Sequence, residues 1–350
     1  MSDYLYYPGC SMASSARAYA SSLEAVCATL DLRLREVDDW NCCGATEYLG
    51  LSQARAYALI SRNLALAEQQ RDGAQTLVAP CSACFVNLAK TEHYLREDPR
   101  LSANVNSALA AGGLHYTPGA VEVRHLVEII LHEVGVPEVA RHVTHPLHGL
   151  RVAPYLGCLV SRPDYDRRWR LREHPLEFDR LLAALGAEVV DFPLRTDCCG
   201  GHMTQISPDT GFELIRRLVS AADRLEADML VTVCPMCQMN VDAYQAEMNR
   251  HFHTGYHMPI LFFTQLMGLA FGEPAGRLGI GAEITSARHA LERIGVEVPP
   301  EEEAPAEGAR RPHVPRPRKP QGLPMPQMPP EEDAADTAAS VAQPEEVAAS

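Results

Sequence analysis

A chain of 350 residues with 46% hydrophobic content and a formal net charge of −14 is long enough for one large or two ordinary domains, and its charge argues against broad binding to nucleic acid or anionic membrane. The start, Met1-Ser2-Asp3-Tyr4, is not a basic segment followed by an apolar run, and the best apolar stretch, Met258 to Phe271, is shorter than the roughly 20 residues a spanning helix needs. Eleven cysteines without an export signal point to the cytoplasm, with membrane attachment only peripheral and through partners; there, paired cysteines hold metal or do redox chemistry.

Tyr4 to Tyr7 reads as a short buried strand running into Pro8-Gly9-Cys10, and Ser11 to Leu30 has helical spacing at Tyr19, Leu23, Val26 and Leu30. Leu32 to Val37 alternates like a strand and leads through Asp39-Trp40-Asn41 to Cys42-Cys43-Gly44. Leu51 to Gln69 is amphipathic, Thr76 to Ala79 is a short apolar strand, and Cys81-Ser82-Ala83-Cys84 opens a helix through Leu95. Leu101 to Glu133 reads as helix with a strand-like break at Val121-Glu122-Val123, and His142 to His148 as linker. The second half replays the order. A strand from Arg151 to Leu156 ends in Gly157-Cys158, a helix covers Phe178 to Leu185, and a strand from Glu188 to Phe192 leads to Cys198-Cys199-Gly200-Gly201. A helix from Gly211 to Leu225 and a strand from Met229 to Val233 follow, and Cys234-Pro235-Met236-Cys237 opens the next helix.

This alternation predicts an α/β protein of two duplicated domains, each a small parallel sheet flanked by helices, with ligands gathered at the carboxyl ends of the strands. The expected limits are residues 1–141 and 151–297, with a linker at 142–150. From Pro299 onward lie twelve of the 26 prolines, so residues 298–350 are expected to be a disordered tail, and its basic stretch, Arg310 to Lys319, a solvated linker.

Ten of the eleven cysteines fall into one pattern used twice: a lone Cys, a Cys-Cys-Gly, and a C-x-x-C. The gaps are 31 and 37 residues in the first copy and 39 and 34 in the second. A C-x-x-C at a helix start puts two thiols on one face, and the helix N-terminus favours the ligating thiolate. Adjacent cysteines in a regular strand would point to opposite faces, so each pair needs a turn, which the following glycine permits. A zinc ion or a cubane cluster takes four thiolates; each half offers five. Either one cysteine per half is spare, as in two structural zinc sites, or each half holds an iron–sulfur cluster of unusual shape, and the fifth cysteine favours the cluster.

The chain resembles the B subunit of heterodisulfide reductase and its relatives, proteins with duplicated cysteine-rich CCG domains. The resemblance rests on Tyr7-Pro8-Gly9-Cys10, Asp39-Trp40-Asn41-Cys42-Cys43-Gly44, Ala79-Pro80-Cys81-Ser82-Ala83-Cys84, Leu156-Gly157-Cys158, Asp197-Cys198-Cys199-Gly200-Gly201, Cys234-Pro235-Met236-Cys237-Gln238-Met239-Asn240 and Phe263-Thr264-Gln265-Leu266. It spans residues 3–295. It implies two non-cubane [4Fe-4S] clusters, one on Cys10, Cys42, Cys43, Cys81 and Cys84, the other on Cys158, Cys198, Cys199, Cys234 and Cys237. It further implies an oxidoreductase active within a complex, a disulfide bound between the clusters, and electrons from a C-subunit-like protein with cubane clusters. With no nucleotide loop in this chain, any flavin chemistry is expected to belong to an A-subunit-like partner. The resemblance implies a disulfide, persulfide or lipoyl-type sulfur substrate; other relatives serve as the anchoring component of succinate or fumarate:quinone reductases, an electron-relay role.

Outside the ten cysteines, His202 is a candidate proton donor to a leaving thiolate, and Arg162 and Lys90 are candidates for an anionic substrate tail, set against plain surface solvation. Cys27 reads as core packing, Trp40 as a shield or a packing residue, His142, His145 and His148 as exposed linker, and Met258 to Phe271 as a buried terminal helix.

Overall fold

Two four-stranded sheets, each wholly parallel, carry the two halves of the chain. The computed structural model describes residues 2–45, 50, 52–163, 169 and 171–300, so the expected tail beyond residue 300 lies outside the described residues. In the first half the order is β1 (Ser2–Tyr6), α1 (Arg17–Thr29), β2 (Leu32–Glu36), α2 (Gln53–Gln70), β3 (Thr76–Ala79), α3 (Ser82–Glu97), α4 (Pro99–Ala110) and β4 (Glu122–His125). A helical segment then begins at Leu126, becomes π-helical over Ile129–Gly135 and ends as α5 (Val136–Arg141). The second half runs β5 (Arg151–Tyr155), α6 (Glu177–Ala184), β6 (Glu188–Val189), α7 (Met203–Ile206), α8 (Pro208–Arg224), β7 (Met229–Thr232), α9 (Pro235–Ala243), α10 (Gln245–Phe252), β8 (Ile260–Phe262), α11 (Phe263–Phe271) and α12 (Arg288–Arg293).

The strand orders are β2-β1-β3-β4 and β6-β5-β7-β8. The short strands are apolar runs because helices cover both sheet faces: Leu5, Leu77, Val78, Val152, Leu230 and Val231 are all fully buried. The order reverses direction between β1 and β3, and again between β5 and β7. Such a switch point leaves a crevice beyond the carboxyl ends of the strands.

The halves interlock. Helix α1 packs on α11, where Ser22 Oγ and Thr264 Oγ1 share a buried hydrogen bond of 2.7 Å. Helix α6 packs on α5 and the π-helical segment in the same manner. The helix that precedes the second strand of one half thus covers the helix that follows the fourth strand of the other.

The fourth strands differ from the expectation drawn from sequence. The break at residues 121–123 is a full strand, with Val123 and His125 opposite Leu77 and Ala79. The stretch read as a terminal helix starts as β8, with Phe262 opposite Thr232. Both strands run directly into a helix, so helical periodicity shortened the first to a break and hid the second. At each junction a side chain three residues on closes the first turn: the His125 N–H donates to Glu128 Oε2 (2.9 Å) and the Phe262 N–H to Gln265 Oε1 (2.8 Å).

Candidate functional site

Each cysteine element lies just past a strand at the switch point. Gly9 and Gly157 follow β1 and β5 in the left-handed region, at φ +73° and +71°. That conformation bends the chain so that Cys10 and Cys158 face the crevice. A Cβ at either glycine would lie 2.9 Å from Cys84 Sγ or 3.1 Å from Cys237 Sγ, so only glycine lets the backbone come this close to sulfur. The Cys-Cys turns follow β2 and β6. Cys81 and Cys234 end the connections from β3 and β7 and sit at the N-caps of α3 and α9.

The ten sulfurs form one file. Cys10 Sγ is 3.9 Å from Cys42 Sγ, and Cys43 Sγ is 3.4 Å from Cys84 Sγ; Cys42 also contacts Cys43, and Cys84 contacts Cys81. In the second half Cys158 meets Cys198, Cys198 meets Cys199, Cys199 meets Cys237, and Cys237 meets Cys234. The files join where Cys81 hydrogen-bonds Cys234 across the halves. The order from either outer end to the junction is the same. The outer ends reach solvent, with Cys10, Cys42 and Cys198 exposed, while the four C-x-x-C sulfurs at the junction are buried.

Neighbouring thiols cannot all ionise at this spacing. Hydrogen bonds from Cys42 and Cys84 pull Cys43 down to about 3. Bonds from Cys158 and Cys199 pull Cys198 down to about 2. Bonds from Cys237 and Cys81 hold Cys234 well below the thiol range. Their donors move the other way: bonding to Cys198 and burial push Cys199 up to about 12, and Cys42, Cys81, Cys84, Cys158 and Cys237 are raised by the same causes. Without a cation the file concentrates its charge on three sulfurs; bound metal lets more of them ionise.

Polar residues support this file identically in both halves. Tyr7 and Tyr155, three residues before the lone cysteines, donate to the carbonyls of Asn41 (2.7 Å) and Asp197 (2.8 Å), the residues just before each Cys-Cys pair. Asn87 and Asn240, three residues after each C-x-x-C, donate to the carbonyls of Cys43 (3.2 Å) and Cys199 (2.6 Å). The Gly44, Gly200 and Gly201 N–H groups point at Cys42, Cys198 and Cys199 sulfurs at 3.5, 3.4 and 3.3 Å. On the join between the halves lies fully buried Tyr19. Its hydroxyl is 3.4 Å from the Pro80 carbonyl and 3.2 Å from that of Val233, the residues preceding Cys81 and Cys234. Sequence reasoning gave no role to these tyrosines and asparagines; their recurrence at fixed offsets from the cysteines was the available signal.

The five cysteines of the second half line a cavity of about 210 Å³ together with Ser82, Met203, Met236 and His202. His202 is therefore beside the sulfurs. Arg162 pairs with Glu173 (2.7 Å) and Asp197 (3.8 Å) and helps lower Cys198. Lys90 lies over the Tyr94 ring at 5.8 Å, away from this cavity's lining. Trp40 packs edge-on against Tyr7 and donates to Glu36. Cys27 is buried in the core and outside the sulfur file. His142, His145 and His148 bond separate neighbours: Glu138, Thr144 and the Gly186 carbonyl. Among the described residues no three His, Cys, Asp or Glu side chains converge as on a single metal ion; the sulfurs of the second half surround a space. A cavity lined by five cysteines, with backbone N–H groups aimed at two of their sulfurs and glycines in its wall, fits an iron–sulfur group.

A family model described as a cysteine-rich domain, CCG, matches residues 4–89 and 152–242. The chain is 33% identical over 285 residues to the 8-methylmenaquinol:fumarate reductase membrane anchor subunit of Wolinella succinogenes, covering 81% of this chain and 98% of that protein. It is 33% identical over 243 residues to the B subunit of the ferredoxin:CoB-CoM heterodisulfide reductase of Methanosarcina mazei, covering 69% of this chain and 79% of the relative. A crystal structure of a hypothetical protein from Helicobacter pylori shares the fold, with a TM-score of 0.63 and 14% sequence identity; the match covers 81% of this chain and 52% of that one.

Proposed function

Because this chain belongs to the duplicated CCG cysteine-rich family that includes the B subunit of heterodisulfide reductase, we propose that it is the iron–sulfur electron-transfer component of a multi-subunit reductase. In this reading Cys10, Cys42, Cys43, Cys81 and Cys84 hold one cluster, and Cys158, Cys198, Cys199, Cys234 and Cys237 another. The observation that carries it is the sulfur file, five and five in mirror order, which gives each half the same ligand set. Five thiolates exceed the four of a cubane, which favours the non-cubane form. Each bound cluster supplies one electron at a time, and disulfide reduction takes two, so paired centres suit a disulfide or related organosulfur substrate. The chain's own residues fix the ligands: Tyr7 and Tyr155 hold the Cys-Cys turns, Asn87 and Asn240 hold the carbonyls behind them, and the exposed outer sulfurs mark the side open to substrate. In this reading His202, which lines the cavity of the second half, donates a proton there. The expected partners are a protein carrying cubane clusters and a flavin-containing protein.

The test is iron and acid-labile sulfide in protein purified without oxygen, with an electron paramagnetic resonance spectrum after thiol oxidation. Roughly eight irons per chain and no zinc are expected; zinc without sulfide overturns the reading in favour of a scaffold. The near-complete match to the Wolinella relative favours a second reading, electron relay to quinone at a membrane surface. No helix among the described residues is long and apolar enough to cross a membrane; in this second reading the chain attaches at the membrane surface through its partners. Reduction of a quinone analogue by vesicle-bound complex, with no turnover of disulfides, would select it.

A further inference from the structure

The two sulfur centres share their ligand order and their tyrosine and asparagine supports, and they differ where they meet. Cys81 and Cys234 each accept a hydrogen bond from the backbone N–H of the second cysteine of their own C-x-x-C. The residue after each differs: Ser82 in the first half, Pro235 in the second. Ser82 is 2% exposed, belongs to the first half, and lines the cavity of the second beside Cys234, to whose sulfur it donates a hydrogen bond. Pro235, its counterpart, has no donor to return to Cys81.

The fourth strands complete the asymmetry. His125 pairs with Ala79, two residues before Cys81; Phe262 pairs with Thr232, two residues before Cys234. His125 is fully buried, and its Nδ1 accepts the Val127 N–H at 3.1 Å, which leaves the ring proton on Nε2. Nε2 lies 3.4 Å from Ser82 Oγ. The single Nε2–H faces both the Pro80 carbonyl and Ser82 Oγ; with Ser82 Oγ accepting a share of it, the serine's own proton is directed to the Cys234 sulfur. Phe262 offers nothing comparable and instead stacks on Tyr19 at 4.3 Å.

Hydrogen bonds to a cluster's sulfurs stabilise the more negative, reduced state and raise its potential. We infer that Ser82, held by His125, makes the second-half centre the higher-potential member of the pair, so that a single electron shared between the two rests on the Cys234 side. The transfer is one electron: the first centre is oxidised by one as the second is reduced by one. Ser82 and His125 are positioning residues. This rests on the two-cluster reading.

The experiment is a potentiometric titration of the anaerobic protein followed by electron paramagnetic resonance, with iron measured on the same samples. Wild type should show two unequal potentials. Ser82→Ala should lower one of them and leave the other in place, by about tenfold in the reduction equilibrium, or 59 mV for one electron. His125→Phe should move the same potential in the same direction, and Pro235→Ser should raise the other and narrow the gap. Iron-loaded Ser82→Ala and Pro235→Ser proteins with wild-type potentials overturn this inference alone. Iron-free wild type overturns the cluster reading and this with it.

Discussion

The two halves of the molecule share sheet order, ligand order, the tyrosine that holds each Cys-Cys turn and the asparagine behind it, yet they diverge in the residues around the shared junction. Duplication preserved what builds a centre; the differences, Ser82 against Pro235 and His125 against Phe262, sit where the two centres touch. In the two-cluster reading the common residues would hold metal, and the unlike ones would set one centre apart from the other.

Removing one inner sulfur breaks the comparison most severely. Cys84→Ala should empty the first centre and Cys237→Ala the second, each cutting iron from roughly eight to roughly four per chain. Loss of all iron from either variant would mean that the halves load as one unit. The glycine walls come next. Alanine at Gly9 or Gly157 would have to adopt the left-handed backbone and displace a ligand sulfur, costing about 2–5 kcal/mol. Gly9→Ala should be the worse, because its Cβ would lie 2.9 Å from sulfur against 3.1 Å at Gly157; thermal unfolding and iron content of the two variants test the order.

His125 separates the halves by pH. Burial, opposed by the Cys234 sulfur and the Pro80 carbonyl, lowers it from 6.5 to about 4. The folded protein therefore binds this proton less readily than the unfolded chain. The stability it permits is fully present above pH 6.5 and is lost as pH falls toward 4, by about 2 kcal/mol at pH 5 and about 3 kcal/mol at pH 4. In His125→Phe, which copies Phe262, that part of the decline should vanish. Unfolding free energies of wild type and variant that fall in parallel from pH 7 to pH 5 would contradict the assignment.

The cysteine motifs and the alternation of strand and helix were legible in the sequence because each is a local signal: a Cys-Cys-Gly, a C-x-x-C or a strand's alternation lies within a few residues, and the same order recurs in both halves. The fourth strands were legible only in part: β4 showed as a strand-like break at residues 121–123 and β8 not at all, since three or four residues running straight into a helix carry too few alternations to stand apart from it; both are defined by their pairing with β3 and β7. The junction was equally hidden. Ser82 looks like an ordinary second residue of a C-x-x-C helix, and His125 like one more residue in a helical stretch. Only folding brings them together from 43 positions apart.

The mildest test concerns the buried tyrosines, and it separates what belongs to a half from what belongs to the pair. Tyr7→Phe and Tyr155→Phe each delete one hydroxyl that holds one Cys-Cys turn, at a cost of about 1 kcal/mol, and each should perturb the spectrum of its own centre only. Tyr19→Phe costs a similar amount, but its hydroxyl faces the carbonyls before both Cys81 and Cys234. It should therefore alter both centres together and weaken the magnetic interaction between them. If Tyr19→Phe changed one centre alone, its hydroxyl would serve a single half, and the junction would rest on the Cys81–Cys234 and Ser82–Cys234 contacts.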